Sequence, residues 1–237
     1  MTMFGYVSRL FKKADSIILE NRAQFTSFNQ ARLLGEYDFV VVDTELTGLD
    51  RKKDEIVSIG AVRIKDLQID LSSVFHCYVK PKNLDPTEAT LIHKITPGQL
   101  NDAPELVDVL PEFIRFAGKS LLVGHYIDLD MSFINRACNN HLGGTLSNPG
   151  IDTMRLARGY KRVLLGYYHD MSGFSNSYRL EDLGREFNLP LFEPHDALED
   201  ALQTAYLFLF LVKKFRKGGL ETLKELYQAG RTGSFVS

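Results

Sequence analysis

Asp43 and Glu45 stand two residues apart at the end of Tyr37-Asp-Phe-Val-Val-Val-Asp43, a short run dominated by β-branched and aromatic side chains. In an extended chain, residues i and i+2 project to the same face, so the two carboxylates would converge. Converging carboxylates repel unless a cation lies between them. The pattern therefore admits a hard-metal site, although a solvated strand end is the commoner origin of an isolated Asp-x-Glu. A second set is His195 and Asp200 in His-Asp-Ala-Leu-Glu-Asp-Ala. Five helical steps turn through about 500°, which would leave the pair about 140° apart if both lay inside the helix. Pro194 places His195 on the entering loop or first turn instead, where it can fold back over the face carrying Asp200. The alternative is a capping histidine beside an ordinary helix carboxylate. A third set lies in Val123-Gly-His-Tyr-Ile-Asp-Leu-Asp130, where a buried strand runs into a loop and then a helix beginning near Met131. Gly124 lets the backbone turn or approach closely. Asp130 stands where a helix N-cap would be, and Asp128, two residues earlier, competes with it for any role at a site.

The elements that must position these residues follow from periodicity. Apolar, β-branched runs predict strands at Tyr37–Asp43, Ile56–Ile64, Ser73–Val79 and Ser120–Gly124. Helical spacing predicts helices at Ala103–Phe116, Met131–Asn140, Ile151–Gly159, Arg179–Phe187 and Asp196–Arg216, with Tyr160–Tyr178 as an irregular, aromatic-rich rim loop. Strands first come in succession and then alternate with helices, the order of an α/β mixed sheet with helices packed on it. Residues 1–36 read as a helical extension, from Phe4, Val7, Leu10, Phe11, Ile17, Ile18 and Leu19 among Arg9, Lys12 and Lys13. Residues 37–217 then form the motif-bearing domain, and 218–237 a C-terminal helix and tail that frays from Gly230.

Composition narrows the classes of function. The 237 residues are 44% hydrophobic and 24% charged, enough for one large core. A net charge of -2 excludes a global basic field of the kind that coats duplex DNA, so attraction to nucleic acid must be local or carried by cations. Cys77 and Cys138 are far apart and lack C-x-x-C spacing, which argues against a zinc site or disulfide framework and fits a reducing cytoplasm. The longest apolar run, Ala205–Val212, is well short of the roughly 20 residues of a membrane span. No secretory signal is evident, and the expectation is a cytoplasmic protein without membrane contact.

Taken in order, Asp43-Thr-Glu45, Gly124-His125-x-x-x-x-Asp130 and His195-x-Ala197-x-x-Asp200-Ala201 resemble the three motifs of the DEDDh 3′→5′ exonuclease family, which includes the proofreading epsilon subunit of bacterial DNA polymerase III. The likeness extends through Asp43-Thr-Glu-Leu-Thr-Gly48, Glu55-Ile-Val-Ser-Ile-Gly60, His93-Lys-Ile-Thr96, Ile151-Asp-Thr153 and Leu180-Glu-Asp-Leu183, covering roughly residues 37–212. Histidine at 195, with aspartate at 196, matches the histidine branch of that superfamily.

The resemblance implies a ribonuclease H-like fold and a phosphodiester hydrolase using two Mg²⁺ or Mn²⁺ ions. Asp43, Glu45, Asp130 and Asp200 would be metal ligands and catalytic residues, with His195 as general base, since imidazole titrates near neutrality. Thr44, Leu46, Thr47, Gly48, His93 and His125 would line the substrate side. For His93, simple solvation in a loop is the stronger reading, and Leu46 could be a wedge against the base or plain packing. The substrate would be a nucleic-acid 3′ end, single-stranded DNA first and RNA as an alternative, with release of nucleoside 5′-monophosphates. A DNA polymerase or a second copy of the chain is a possible partner. The rivals are an RNA-trimming exonuclease or oligoribonuclease of the same family, and a non-catalytic polymerase-associated subunit. The chain departs from the family at Tyr126 and Leu129, where asparagine and phenylalanine are frequent, and at Leu46, where threonine or a similar residue is common. Asp152 is expected to cap the following helix beside Thr153. Tyr160-Lys-Arg162 and Tyr167-Tyr-His169 have either the mixture that stacks bases and meets phosphates or that of a packed loop. Phe208 and Phe210 are expected in the core.

Overall fold

The computed structural model describes residues 13–167 and 176–232. Five strands form one mixed sheet in the order β3-β2-β1-β4-β5: β1 Phe39–Leu46, β2 Ile56–Lys65, β3 Gln68–Tyr78, β4 Leu121–Gly124 and β5 Gly150–Asp152. β1, β2 and β3 are antiparallel neighbours, whereas β4 runs parallel to β1 and β5 parallel to β4. The β2–β3 hairpin closes on Asp66 and Leu67, both at positive φ, as the twist of a two-residue hairpin turn requires. This turn draws β3 back to Gln68, five residues before the predicted start at Ser73.

The helices are α1 Ser16–Gln24, α2 Glu88–His93, α3 Pro97–Asn101, α4 Leu106–Ala117, α5 Asp128–Leu142, α6 Thr153–Tyr167, α7 Leu180–Glu186, α8 Ala197–Lys217 and α9 Leu223–Thr232. Alternation along β1 divides the core. Phe39 and Val41 face α8, where Ala205, Phe208, Leu211 and Val212 recur at helical spacing, and the Phe39 and Phe208 rings lie 5.0 Å apart. Val40, Val42 and Leu46 face the other layer, with Phe113 of α4, Phe133 and Ile134 of α5, and Ile18 of α1. α6 and α7 pack on α8, and α9 packs on α6.

Several expectations need correction. Residues 25–33 are not helical: Thr26 Oγ1 donates to the Ala23 carbonyl and Asn29 Oδ1 accepts from Ala31 N, side-chain bonds that compete with a continuing helix. Phe4, Val7, Arg9, Leu10, Phe11 and Lys12 lie outside the described residues. α1 and the chain after it dock on the rest of the molecule. Ile18 is fully buried, Asn21 hydrogen-bonds Asn148 and Ser147 N, and Leu34 N donates to the Glu221 carbonyl. Ile151 belongs to β5 and not to a helix, because a three-residue strand pairing with β4 is too short to show a period. α6 continues through Tyr167, so the predicted rim loop begins later. Tyr160 packs edge-on to Phe187, Phe210 and Phe215, and Lys161 is buried in an ion pair with Glu186 at 2.6 Å, so neither is offered to a nucleic acid. Tyr168 and His169 lie outside the described residues. Helices α2 and α3 were not foreseen.

One contact fixes how the sheet meets α8. Gly60 pairs with Asp43 across β1 and β2, and a Cβ on Gly60 would lie 2.1 Å from the carbonyl carbon of Ala197, the first residue of α8. Backbone cannot yield to that clash, so only glycine lets the helix start lie on the strand. Gly60→Ala should therefore destabilise the protein by at least about 1–3 kcal/mol in urea unfolding, the range of overpacked cores. An unchanged unfolding midpoint would show that α8 does not depend on this approach.

Candidate active site

β1 remains a strand through Leu46, so Asp43 and Glu45 both project from the face that α8 covers. His195 and Pro194 form a turn before α8, and His195 adopts φ +68 outside the helix, as the position after Pro194 suggested. Its backbone N donates to Asp200 Oδ2 at 2.9 Å, which folds the loop back over Asp200. Ligand-capable atoms of Glu45, His195 and Asp200 lie within 4.8 Å of one another. The geometry thus permits His195 either as a base beside the carboxylates or as a ligand among them.

Asp130 enters from the opposite layer. α5 begins at Asp128, so Asp130 lies inside its first turn and is not the N-cap. Its Oδ1 instead accepts from Thr44 N at 3.0 Å and from Thr44 Oγ1 at 2.6 Å, bolting the helix to β1 between Asp43 and Glu45. Asp128 points elsewhere, pairing with Arg155 at 2.5 Å. Asp152 accepts from Met154 N at the start of α6, the capping role expected of it, and also from Tyr126 N.

Charge is the dominant feature of this cluster. Burial, reinforced by Asp130, Asp200, Glu45 and Asp196, pushes the Asp43 carboxyl well above its ordinary range. Burial and the charge of Asp200 push Glu45 up to about 8. Burial raises Asp130 to about 7 against the opposing bonds from Thr44, and raises Asp200 to about 6 against the His195 N–H. Among the described residues no lysine or arginine forms an ion pair with any of the four. Oxygen donors converging in a buried site without a protein cation are the donor set that hard divalent cations take.

Two cavities meet at the cluster. One, of about 570 Å³, is lined by Thr44, Glu45, Leu46, Leu49, Ile92 and His93, among others. The second, of about 380 Å³, lies towards α7 and is lined by Asp43, His125, Arg179, His195, Asp200 and Gln203 among others. The sequence-predicted substrate residues divide accordingly. Leu46 is at once core and cavity wall. His93 is buried, its Nδ1 accepts from Ile95 N, and burial together with nearby His195 holds its pKa below the ordinary value. Thr47 Oγ1 is engaged by Asp54 and Glu55 N, and Gly48 packs against the Asp54 carboxylate, so both shape the loop leaving β1, and both line the 570 Å³ cavity. His125 has both ring nitrogens engaged, by Thr153 Oγ1 and the Tyr178 carbonyl, which ties β4 to the chain before α7. Asp196 and Gln203 were missed. Asp196 caps α8 through Leu198 N and Glu199 N and adds its charge to the cluster. An aspartate directly before a periodic apolar run is a recognisable cap signal. Gln203, buried one turn beyond Asp200, has no such signature.

The sequence profile of exonucleases (RNase T) matches residues 40–208, which spans every residue of the cluster. The chain belongs to the exonuclease family. It is 35% identical over 201 residues to DNA polymerase III PolC-type of Caldanaerobacter subterraneus subsp. tengcongensis, a match covering 85% of this chain and 13% of that protein. It is 32% identical over 192 residues to DNA polymerase III subunit epsilon of Aquifex aeolicus, covering 79% and 89%. The chain therefore corresponds to a small part of the PolC-type relatives and to nearly all of the epsilon subunit. Exonuclease X superposes with a TM-score of 0.59 at 24% identity over 81% of this chain and 99% of its own, which shows the shared ribonuclease H-like fold. Exonucleases of this family depend on divalent metal. Among the described residues no helix is long and apolar enough to cross a membrane.

The raised carboxyls make a prediction about the metal-free exonuclease. Each carboxyl holds its proton to higher pH in the folded state than in the unfolded chain. The contribution is complete below about pH 4, where both states are protonated, and is lost as pH rises through the folded values of about 6, 7 and 8. In chelator, the melting temperature should therefore fall between pH 5 and 8, and Mn²⁺ should reverse the fall. Asp43→Asn, which removes one member of the repulsive set, should flatten the profile. A metal-free melting temperature that rises across this window, with no flattening in the variant, would contradict the electrostatic account.

Proposed function

We propose that this chain is a 3′→5′ exonuclease that hydrolyses the terminal phosphodiester of a DNA strand and releases nucleoside 5′-monophosphates. The observation that carries this reading is the convergence of Glu45, His195 and Asp200 beside Asp43 at the junction of the two cavities. The polymerase III relatives support DNA as the substrate and replication or repair as the setting.

Asp43, Glu45, Asp130 and Asp200 would hold two Mg²⁺ or Mn²⁺ ions, which when bound act as Lewis acids on the attacking and leaving oxygens. The protein's own groups do the rest. The 570 Å³ cavity receives the terminal nucleoside, with Leu46, Leu49 and Ile92 against the base and Thr44 and Glu45 near the sugar. His195, exposed on its turn but anchored through its backbone to Asp200, takes the proton of the attacking water. Thr44 holds Asp130 in one orientation, so the carboxylates need little rearrangement on binding.

His195→Gln should lower turnover on a 3′-labelled oligodeoxynucleotide by about 10²–10⁴-fold, while Mn²⁺ affinity measured by titration calorimetry changes little. Asp200→Asn should lose at least as much turnover and most of the cation binding, with folding intact by circular dichroism. Loss of cation binding in His195→Gln would make that residue a ligand, and near wild-type turnover in either variant would refute the assignment. Oligoribonucleotide in a parallel reaction reports whether RNA is degraded as well.

A further inference from the structure

Tyr126 is not explained by the carboxylate site. Its backbone lies at φ +61, a left-handed conformation that is uncommon for a bulky residue. It is also an exposed aromatic, with 47% of its surface accessible. The surroundings keep it in this state. Tyr126 N donates to Asp152 Oδ1 at 3.1 Å, and Asp152 is itself fixed by Met154 N and by Arg155 at 3.5 Å. The Tyr126 carbonyl accepts from Leu129 N as the chain turns into α5. Its ring stands edge-on to His125 at 5.0 Å, and the imidazole is immobilised through both nitrogens. An aromatic ring is therefore held out on a rigid, sterically unfavourable backbone. Such outliers concentrate at binding and catalytic sites because the surrounding structure must enforce them.

Its place in the chain identifies the ligand. His125, one residue before, lines the 380 Å³ cleft, and Leu129, three residues after, lines the 570 Å³ cavity. Tyr126 thus lies in the segment that connects a residue of one cavity wall to a residue of the other, four residues before Asp130. On the exonuclease reading the larger cavity takes the terminal nucleoside, and the next base of a single strand leaves it past this segment. We propose that Tyr126 is a stacking platform for a nucleobase of the strand that remains after cleavage, so that this chain grips its substrate beyond the terminal nucleotide. This rests on the exonuclease reading and adds to it a binding site for an unpaired base of any identity, since every base presents a π-face.

The chain contains no tryptophan, so Tyr126→Trp carries a sole fluorescent reporter at the site. A single-stranded oligothymidylate of about eight nucleotides, with phosphorothioate 3′ linkages to slow hydrolysis, should quench it saturably, whereas thymidine 5′-monophosphate should not. In steady-state assays, Tyr126→Asn, which tolerates the left-handed backbone, should raise KM for such oligonucleotides about 5- to 100-fold with a much smaller change in kcat. Tyr126→Phe should restore KM, and p-nitrophenyl thymidine monophosphate, which offers no second base, should be affected severalfold less. An unquenched tryptophan, an unaltered KM in Tyr126→Asn, or an equal loss of kcat on every substrate would overturn the proposal, the last by making Tyr126 a support for Asp130. Wild-type protein inert on all substrates would instead refute the exonuclease reading, which the quenching measurement tests independently.

Discussion

Four carboxylates from three separate elements converge where burial and mutual repulsion both oppose their ionisation, and among the described residues no lysine or arginine pairs with them. A fold gains nothing in stability from such a cluster, so everything that builds it must be held by other contacts. Asp43 and Glu45 come from β1, whose neighbours on both sides fix its register. Asp200 comes with α8, whose apolar face spans the sheet while its first turn lies on the backbone at Gly60. Asp130 comes with α5 from the other layer and is oriented by Thr44 alone among the described hydrogen bonds. The two hydrophobic layers thus supply the stability, and the cluster at the sheet end uses part of it.

Much of this was legible in the sequence because its signals were local. The i, i+2 spacing of Asp43 and Glu45 needed only a strand, and Pro194 was enough to move His195 out of the helix and over Asp200. Asp130 was found by its position in a motif, with an N-cap as the competing local reading, which the start of α5 at Asp128 removes. The bond that defines it crosses 86 residues to Thr44, and no local pattern encodes such a partner. The same applies to Lys161, which has the composition of a phosphate contact yet is buried against Glu186 because α6 runs on under α7. Short elements were lost for a different reason. β5 has three residues and α3 five, too few for any period to show. Thr47 and Gly48, expected on the substrate side, both shape the loop that leaves β1 and line the 570 Å³ cavity.

Local strain is distributed unevenly. Of the non-glycine residues at positive φ, Asp66 and Leu67 make a hairpin turn, Lys94 caps α2 and Asn188 follows α7, whereas Tyr126 precedes the helix that carries Asp130 and His195 the helix that carries Asp200. Each is pinned through its backbone N to an aspartate, Asp152 for Tyr126 and Asp200 for His195. A side chain held this way is presented to a ligand with little freedom to lose on binding, which favours tight and ordered complexes. His195 and Asp200 line one of the two cavities and Glu45 the other.

The central claim is that the cluster is a cation site whose carboxyls stay partly protonated until the cation arrives. Isothermal titration of Mn²⁺ into chelator-treated protein, in two buffers of different ionisation enthalpy, reads the protons released on binding. The account predicts release of roughly one proton or more per protein at pH 7, declining towards pH 9 as Glu45 and its neighbours ionise beforehand. Binding that is absent, or that releases no protons at any pH in this range, would contradict it.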